Sequence, residues 1–184
     1  MPRKGPIPPT AVVISGTRKI MHAQFEFVQQ ILEGLKANIF ITGGCEGVDT
    51  FACCELVRSR PKAKHIVVVP YKYKWNVGHH YWAEEHGCEV LDMPKPDRGD
   101  KRHPNIIRNA YMLELARELA PERARLVAFP GGPDEVLRSG TWATIREAGR
   151  QQMVDAAQIL WGAIVVVLQV EIVEAQSGGE LHVS

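Results

Sequence analysis

Short apolar runs alternate with longer amphipathic segments along this chain. Apolar runs of roughly four to eight residues that end at Gly, Pro or polar positions are typical of buried strands. They predict strands over Ala11–Ser15, Asn38–Thr42, Lys64–Val69, Cys88–Met93, Ala124–Phe129 and, last, Ala163–Val173. Apolar residues at helical spacing predict helices over Met21–Lys36, Val48–Arg60, the second half of Pro70–His86, Asn105–Leu119 and Ser139–Val154.

Strands that alternate with helices form parallel sheets whose two faces are both covered. The pattern therefore predicts an α/β fold with a doubly wound, mostly parallel, Rossmann-like sheet and helices on both faces. Ligands of such sheets bind beyond the carboxyl ends of the strands. Glycine-rich turns follow the second and fifth predicted strands, at 43–47 and 130–132. We expect these turns to converge on that edge of the sheet.

The chain is 184 residues long and 45% apolar, which fits one domain with a sizeable core. We expect this domain over residues 10–175, between a flexible N-terminal arm at 1–9 and a polar C-terminal tail at 176–184. The arm has no apolar segment of the kind that signal peptides carry. The apolar run Ile159–Val173 is too short to span a membrane, so no membrane association is predicted. With 22 basic and 21 acidic residues, the balance argues against a strongly basic nucleic-acid binder.

Four cysteines are present, and no pair has the Cys-x-x-Cys spacing of a zinc site. They are interpreted as reduced, partly buried thiols of a cytoplasmic protein. Cys45 differs from the others because it lies in the glycine-rich turn, near a helix N-terminus, where the pKa of a thiol can fall. The neighbouring histidines His79 and His80 lack metal-ligand spacing. We therefore expect neither a metal nor a cofactor.

The first glycine-rich turn, Gly43-Gly44-Cys45-Glu46-Gly47, runs from a strand into a helix. Glycines let the backbone approach a ligand closely, and free N–H groups at a helix N-terminus favour a phosphate. The alternative is a plain strand-to-helix connection. Asp49, in the first turn of the helix, could accept ribose hydroxyls or simply interact with the helix dipole.

Two arginines could bind the same anion. Gly16-Thr17-Arg18 follows the first strand, and Arg18 is either a bidentate phosphate ligand, with Thr17 donating its hydroxyl, or a solvated side chain. Arg108-Asn109 begins a later helix after a basic loop, and Arg108 is either a phosphate ligand or half of a surface ion pair.

The second glycine-rich turn, Gly131-Gly132, precedes a helix that begins with Ser139-Gly140-Thr141. Hydroxyl groups at a helix N-terminus suit phosphate binding, and Ser139 also suits ordinary N-capping; the two roles are compatible. An aromatic segment at 71–82, with Trp75, His79, His80 and Trp82, could stack on a base. Alternatively it forms a buried patch or the interface of a homo-oligomer.

Five motifs occur in order: Ser15–Arg18, Thr42–Asp49, Arg108–Met112, Phe129–Gly132 and Ser139–Thr141. Together they resemble the SLOG superfamily of Rossmann-like proteins, and most closely its small stand-alone branch related to YspA. The resemblance covers about residues 11–150. The superfamily includes DprA-type DNA-processing proteins, LOG phosphoribohydrolases and proposed sensors of nucleotide-derived ligands.

The resemblance implies a nucleotide or nucleotide-like ligand over the glycine-rich turns. Carried over by position, the pocket would be lined by the 43–49 turn, Arg108, Gly131, Gly132, Gly140 and Thr141. LOG enzymes carry a catalytic glutamate in Pro-Gly-Gly-x-Gly-Thr-x-x-Glu. Here Pro133–Ser139 interrupts that motif, and Thr144 stands at the glutamate position.

Three functions follow as alternatives. The first is a nucleotide-ligand binding protein, for example a sensor. The second is an N-glycosidase for a nucleoside phosphate, in which Glu46, Asp49 or Glu147 replaces the missing glutamate and Arg108 completes the site, because oxocarbenium chemistry needs a carboxylate near the sugar. The third, which the near-neutral charge disfavours, is a DprA-like binder of single-stranded DNA.

Overall fold

The structure is a computed structural model that describes residues 8–20, 22–70, 77–97, 99–131, 139–151, 157–161 and 164–168. The strands are β1 (Ala11–Gly16), β2 (Ile39–Thr42), β3 (Lys64–Val69), β4 (Glu89–Asp92), β5 (Ala124–Phe129), β6 (Ala157–Trp161) and β7 (Ile164–Leu168). The helices are α1 (His22–Gly34), α2 (Val48–Ser59), α3 (Val77–Glu85), α4 (Pro104–Leu119) and α5 (Gly140–Arg150).

The strands form one sheet in the order β4-β3-β2-β1-β5-β6-β7. All neighbouring pairs are parallel except β6 and β7, which are antiparallel. The predicted α/β, doubly wound and mostly parallel sheet is thereby confirmed. From β1 the chain moves outward to β4 and then returns to β5 on the other side of β1. This reversal leaves a crevice at the carboxyl ends of β1 and β5, where doubly wound sheets bind ligands.

Alternate residues of the central strands point to opposite faces of the sheet, so each face has its own core. On one face, Val13 and Ile41 pack in a cluster with Met112 of α4. On the other, Ile14 and Phe40 pack in a cluster that includes residues of α1 and α2. The strands β1, β2 and β3 are buried on both faces, which explains why their sequences are continuous apolar runs rather than alternating ones.

The last part of the sheet differs from the prediction of a single strand over Ala163–Val173. The structure has two strands, β6 and β7, in antiparallel register, with Trp161 opposite Ile164. The apolar run is therefore divided into two paired strands rather than continuing as one. The arm at 1–7 and the tail at 169–184 lie outside the described residues. No helix among those that the structure describes is long and apolar enough to cross a membrane.

Candidate functional site

A cavity of about 660 Å³ opens at the carboxyl ends of β1 and β5. Eleven of the predicted site residues line it: Gly16, Thr17, Arg18, Cys45, Asp49, Arg108, Asn109, Gly131, Ser139, Gly140 and Thr141. The loop after β1 and the N-terminal ends of α2, α4 and α5 therefore surround one cavity. This convergence follows from the parallel sheet, in which every βα connection of this kind emerges at the same edge.

Arg108 is buried beneath the cavity wall, with only 4% of its surface exposed. Its Nε and Nη2 atoms donate to Asn109 Oδ1 at 3.0 and 2.8 Å. Its Nη1 donates to the Gly43 carbonyl oxygen and lies 3.1 Å from Cys45 Sγ. The alternative of a surface ion pair for Arg108 is therefore wrong, because the guanidinium is fixed in the interior by groups of the chain itself.

Asp49 is the acidic partner of this arginine. Its Oδ2 lies 3.7 Å from Arg108 Nη2, and both side chains are about 5% exposed. Burial raises the pKa of Asp49, while Arg108 and the backbone N–H groups of Cys45 and Gly16 oppose that rise. The other oxygen, Oδ1, is buried and has no hydrogen-bond partner among the described residues. Asp49 lines the cavity as a residue, while this oxygen is buried behind the surface.

Asn109 links the first glycine-rich turn to α5. Its Nδ2 donates to Thr144 Oγ1 at 2.6 Å and to the Gly140 carbonyl at 3.2 Å. Thr144 in turn donates to the Gly140 carbonyl at 2.9 Å. Thr144 is 1% exposed and belongs to this buried network. The position thus holds a structural hydroxyl group in this chain.

The N-terminal ends of α4 and α5 face the cavity and are both capped. His103 Nδ1 accepts from the Asn105 N–H at 3.2 Å, and Pro104 occupies the first helical position. Ser139 accepts from the Trp142 N–H at 3.4 Å, which confirms the predicted N-capping by Ser139. The remaining N–H groups of a first helical turn have no partner within the helix, and the helix dipole makes that end positive. Both ends are suited to an anion.

Several predicted residues do not reach the cavity. Gly43, Gly44 and Gly47 lie behind its wall, and Glu46 is exposed outside it. Glu147 is two turns along α5 and pairs with Arg150 and Gln151. Of the candidate catalytic carboxylates, only Asp49 lines the cavity. Gly132 lies outside the described residues.

The aromatic segment is also separate from the cavity. His79 stacks on Trp82 at a ring distance of 5.9 Å, and Trp82 stacks on His86 at 4.1 Å. None of these rings lines the cavity, so base stacking there has no support from the geometry. Tyr71, Tyr73 and Trp75 lie outside the described residues. The predicted homo-oligomer stays a prediction.

Five residues that line the cavity were missed by sequence reasoning: Ser15, His103, Asn105, Ile106 and Trp142. His103 could have been found, since a polar residue directly before Pro104 is typical of an N-cap followed by Pro at the first helical position. Trp142 carried no comparable signal, because an aromatic residue in the first turn of a helix is more often part of the core. Among the described residues, no group of three or more His, Cys, Asp or Glu could hold a metal ion.

This architecture is found in a solved protein. The chain is similar in structure to the DNA processing protein A (DprA) from Streptococcus pneumoniae, with a TM-score of 0.53 and 16% sequence identity. The match covers 84% of this chain and 50% of that one, so the chain spans about half the length of its structural relative. The likeness shows a shared Rossmann-like fold. No model of a known protein family matches the chain, and no curated protein matches it.

Proposed function

We propose that this protein binds a nucleotide or a nucleotide-derived ligand in the cavity at the carboxyl ends of β1 and β5, as a SLOG-type Rossmann-like protein. One observation carries the proposal. The cavity brings two positive helix ends together with the carboxyl group of Asp49, which lines it and whose buried Oδ1 lacks a hydrogen-bond partner among the described residues. A phosphate suits the first feature and a sugar hydroxyl suits the second.

The phosphate would lie near the N-terminal end of α5, within reach of Thr17 and Arg18. Arg18 is exposed and lines the cavity, so it can move toward an anion. Arg108, by contrast, already makes its hydrogen bonds inside the chain and would support the wall rather than contact the ligand. The base would lie against the apolar part of the lining, which includes Ile106 and Trp142.

Binding is tested by titrating the protein with AMP, with adenosine and with ribose 5-phosphate, and by measuring the melting temperature. A ligand at about 100 times its Kd stabilises the folded state by about 2.7 kcal/mol. AMP should raise the melting temperature most, because only AMP supplies phosphate, sugar and base together. The absence of a shift with every phosphate-bearing compound would contradict the proposal.

Two arginine variants of equal charge locate the site. Arg18→Ala removes a guanidinium at the cavity and should weaken AMP binding about tenfold, which is the effect of one charge-assisted hydrogen bond. Arg117→Ala removes an exposed guanidinium from the last turn of α4, far from the cavity, and should leave the affinity unchanged. Equal affinities in the two variants would place the ligand elsewhere.

Cys45 provides an independent readout, because it is partly exposed and lines the cavity. Bound AMP should slow its alkylation by iodoacetamide, as followed by peptide mass spectrometry. Cys54 is also partly exposed but does not line the cavity, so its alkylation should not change. Equal protection of both thiols would indicate a general stabilisation rather than occupancy of the cavity.

Hydrolysis of a nucleoside phosphate is a second candidate function, favoured by one observation. Asp49 lines the cavity and its pKa is raised by burial, as is common for carboxyl groups that donate a proton in catalysis. The test is release of adenine from AMP by the native protein and by Asp49→Asn. Release that is unchanged in Asp49→Asn would remove Asp49 from the reaction.

Single-stranded DNA is the remaining candidate, since the solved protein that shares the fold is named a DNA processing protein. An oligonucleotide titration at two salt concentrations distinguishes it from the free nucleotide. Affinity for DNA should fall steeply with salt when several phosphates are bound. A tight, salt-sensitive complex with DNA, together with no binding of AMP, would replace the small-molecule proposal.

A further inference from the structure

Two buried thiols face each other at the edge of the sheet, away from the cavity. Cys53 lies in α2, and Cys88 is the residue before β4, the edge strand. Their Sγ atoms are 3.9 Å apart, although the residues are separated by 35 positions in the sequence. The two residues are 3% and 7% exposed.

The surroundings of this pair are apolar. Val67 and Val69 of β3 and Ala83 of α3 complete the buried cluster, and Trp82 packs against it. An apolar cluster gains nothing specific from two thiols in contact, because a single thiol behaves there as a small apolar side chain. The chemistry that two adjacent thiols share is oxidation to a disulfide.

The distance suits that reaction. A disulfide bond is about 2.05 Å long, so the sulfur atoms must approach by roughly 2 Å. Rotation of the two side chains with a small movement of α2 against the sheet edge can supply this. Of the other cysteines, Cys45 contacts Arg108. Cys54, next to Cys53 in α2, is only partly buried; it also lies near enough to Cys88 to interact with it electrostatically, but the close sulfur contact of Cys88 is with Cys53.

We propose that Cys53 and Cys88 are an oxidisable pair that a peroxide converts into an intramolecular disulfide. The Cys88 thiolate attacks one peroxide oxygen, the O–O bond breaks, and the departing oxygen leaves as water after taking up a proton. Cys88 is then a sulfenic acid. The Cys53 sulfur attacks the Cys88 sulfur, the S–O bond breaks, and the hydroxyl leaves as a second water with the Cys53 proton. Two thiols lose two electrons and two protons, and the peroxide is reduced to water.

The hydrogen bond between the thiols supports this order of events. When the Cys53 S–H donates to Cys88 Sγ, it stabilises the Cys88 thiolate and lowers the pKa of Cys88, against the opposing effect of burial. The same contact, together with burial, raises the pKa of Cys53. In this arrangement Cys88 is the first nucleophile, since the thiolate is the reactive form, and Cys53 is the resolving thiol; with the opposite donor the two roles exchange and the same disulfide forms.

The full chain, treated with hydrogen peroxide and then alkylated under denaturing conditions, tests the pair. Intact mass spectrometry should show two of the four thiols protected together, with the loss of two hydrogens, and a thiol reductant should restore all four. Peptide mapping should find Cys53 joined to Cys88. Peptide mapping of the Cys54→Ala variant shows whether the bond is formed by Cys53 rather than by the adjacent Cys54. This result requires no nucleotide and is independent of the proposed function.

Matched variants complete the experiment. Cys45→Ala and Cys54→Ala should still form the bond, whereas Cys53→Ala and Cys88→Ala should not. Cross-linking through Cys45 or Cys54, survival of all four thiols, or over-oxidation of Cys88 beside a free Cys53 would each overturn the proposal. Because mapping in Cys54→Ala assigns the bond, the test does not depend on whether Cys53→Ala or Cys88→Ala folds.

Discussion

The two glycine-rich turns differ in how closely other parts of the chain pack against their glycines. In the first turn, a Cβ atom on Gly43 would lie 2.4 Å from Arg108 Cζ, and one on Gly47 would lie 2.3 Å from the Thr17 carbonyl oxygen. In the second, a Cβ on Gly131 would come no closer than 3.3 Å to Thr17 Oγ1. One on Gly140 would have no atom of the described residues within 4 Å, beyond its own helix and chain neighbours.

The difference separates two uses of glycine. In the first turn, glycine lets parts of the chain approach each other, so that Arg108 and the loop after β1 can pack against the backbone. In the second, the nearest described neighbour of a Cβ on Gly131 is the side chain of Thr17, which would have to shift by a few tenths of an ångström, and Gly131 and Gly140 both line the cavity. The sequence hypothesis that the 43–47 glycines admit a ligand is therefore not supported by their placement, whereas Gly131 and Gly140 do lie at the cavity.

Gly47→Ala should have the largest effect on stability. Gly47 has φ of 82°, a left-handed conformation that is costly for other residues, and the new methyl group would meet backbone atoms of the loop after β1. We expect a loss of about 3 kcal/mol or more in the free energy of unfolding, measured by urea denaturation. A loss below about 1 kcal/mol would mean that the first turn is not closely packed.

Arg108→Met should come next, with a loss of about 3 kcal/mol, because it leaves the buried carboxylate of Asp49 without its partner. The double variant Asp49→Asn, Arg108→Met should regain part of that loss, since the unpaired charge is gone. Arg117→Met, at an exposed site on the same helix, is the control and should change the stability by less than about 0.5 kcal/mol. Additive effects of Asp49→Asn and Arg108→Met would show that the pair is not coupled.

A pH profile gives a smaller effect. The pKa of Asp49 is raised above its ordinary value in the folded state, so the unfolded chain releases this proton first as the pH rises. The free energy of unfolding therefore decreases as the pH rises from the ordinary pKa to the raised pKa, and it does not decrease further above the raised pKa. Relative to Asp49→Asn, the native protein should therefore become less stable across that window. Parallel profiles from urea denaturation would show that Asp49 is not desolvated.

Gly140→Ala should change the free energy of unfolding least, and it should increase that free energy rather than decrease it. Alanine suits the first turn of α5 better than glycine does, so a gain of up to about 0.5 kcal/mol is expected. The same methyl group occupies cavity space and should weaken AMP binding in the melting-temperature assay. A clear loss of stability would show that the second turn is packed as closely as the first.

Much of the fold could be predicted from the sequence, because parallel strands and the helices between them carry strong periodic signals. The strands Lys64–Val69 and Ala124–Phe129 have the predicted bounds, and helix ends shifted by a few residues, as at Gly34 and Arg150. The β6–β7 hairpin was not predicted. Its two strands read as part of one apolar run, and only the short connection divides them.

The candidate site was harder to predict, because its organisation depends on burial. Sequence spacing placed Arg108 and Asp49 at the correct edge but could not show that they face each other beneath the surface. The Asn109–Thr144 hydrogen bond joins residues 35 positions apart and has no local signal. Glu147 lies two turns along α5, pairs with Arg150 and Gln151, and does not line the cavity.

The place of β1 in the sheet has a consequence for the order of synthesis. β1 is synthesised before the other strands of this sheet and lies at its centre, between β2 and β5. Its β2 edge can be covered early, but its other edge stays unpaired until Ala124–Phe129 has been made, and exposed strand edges favour association with other chains. The cavity wall that α5 contributes is made later still, so the cavity is completed only after α5 has been synthesised.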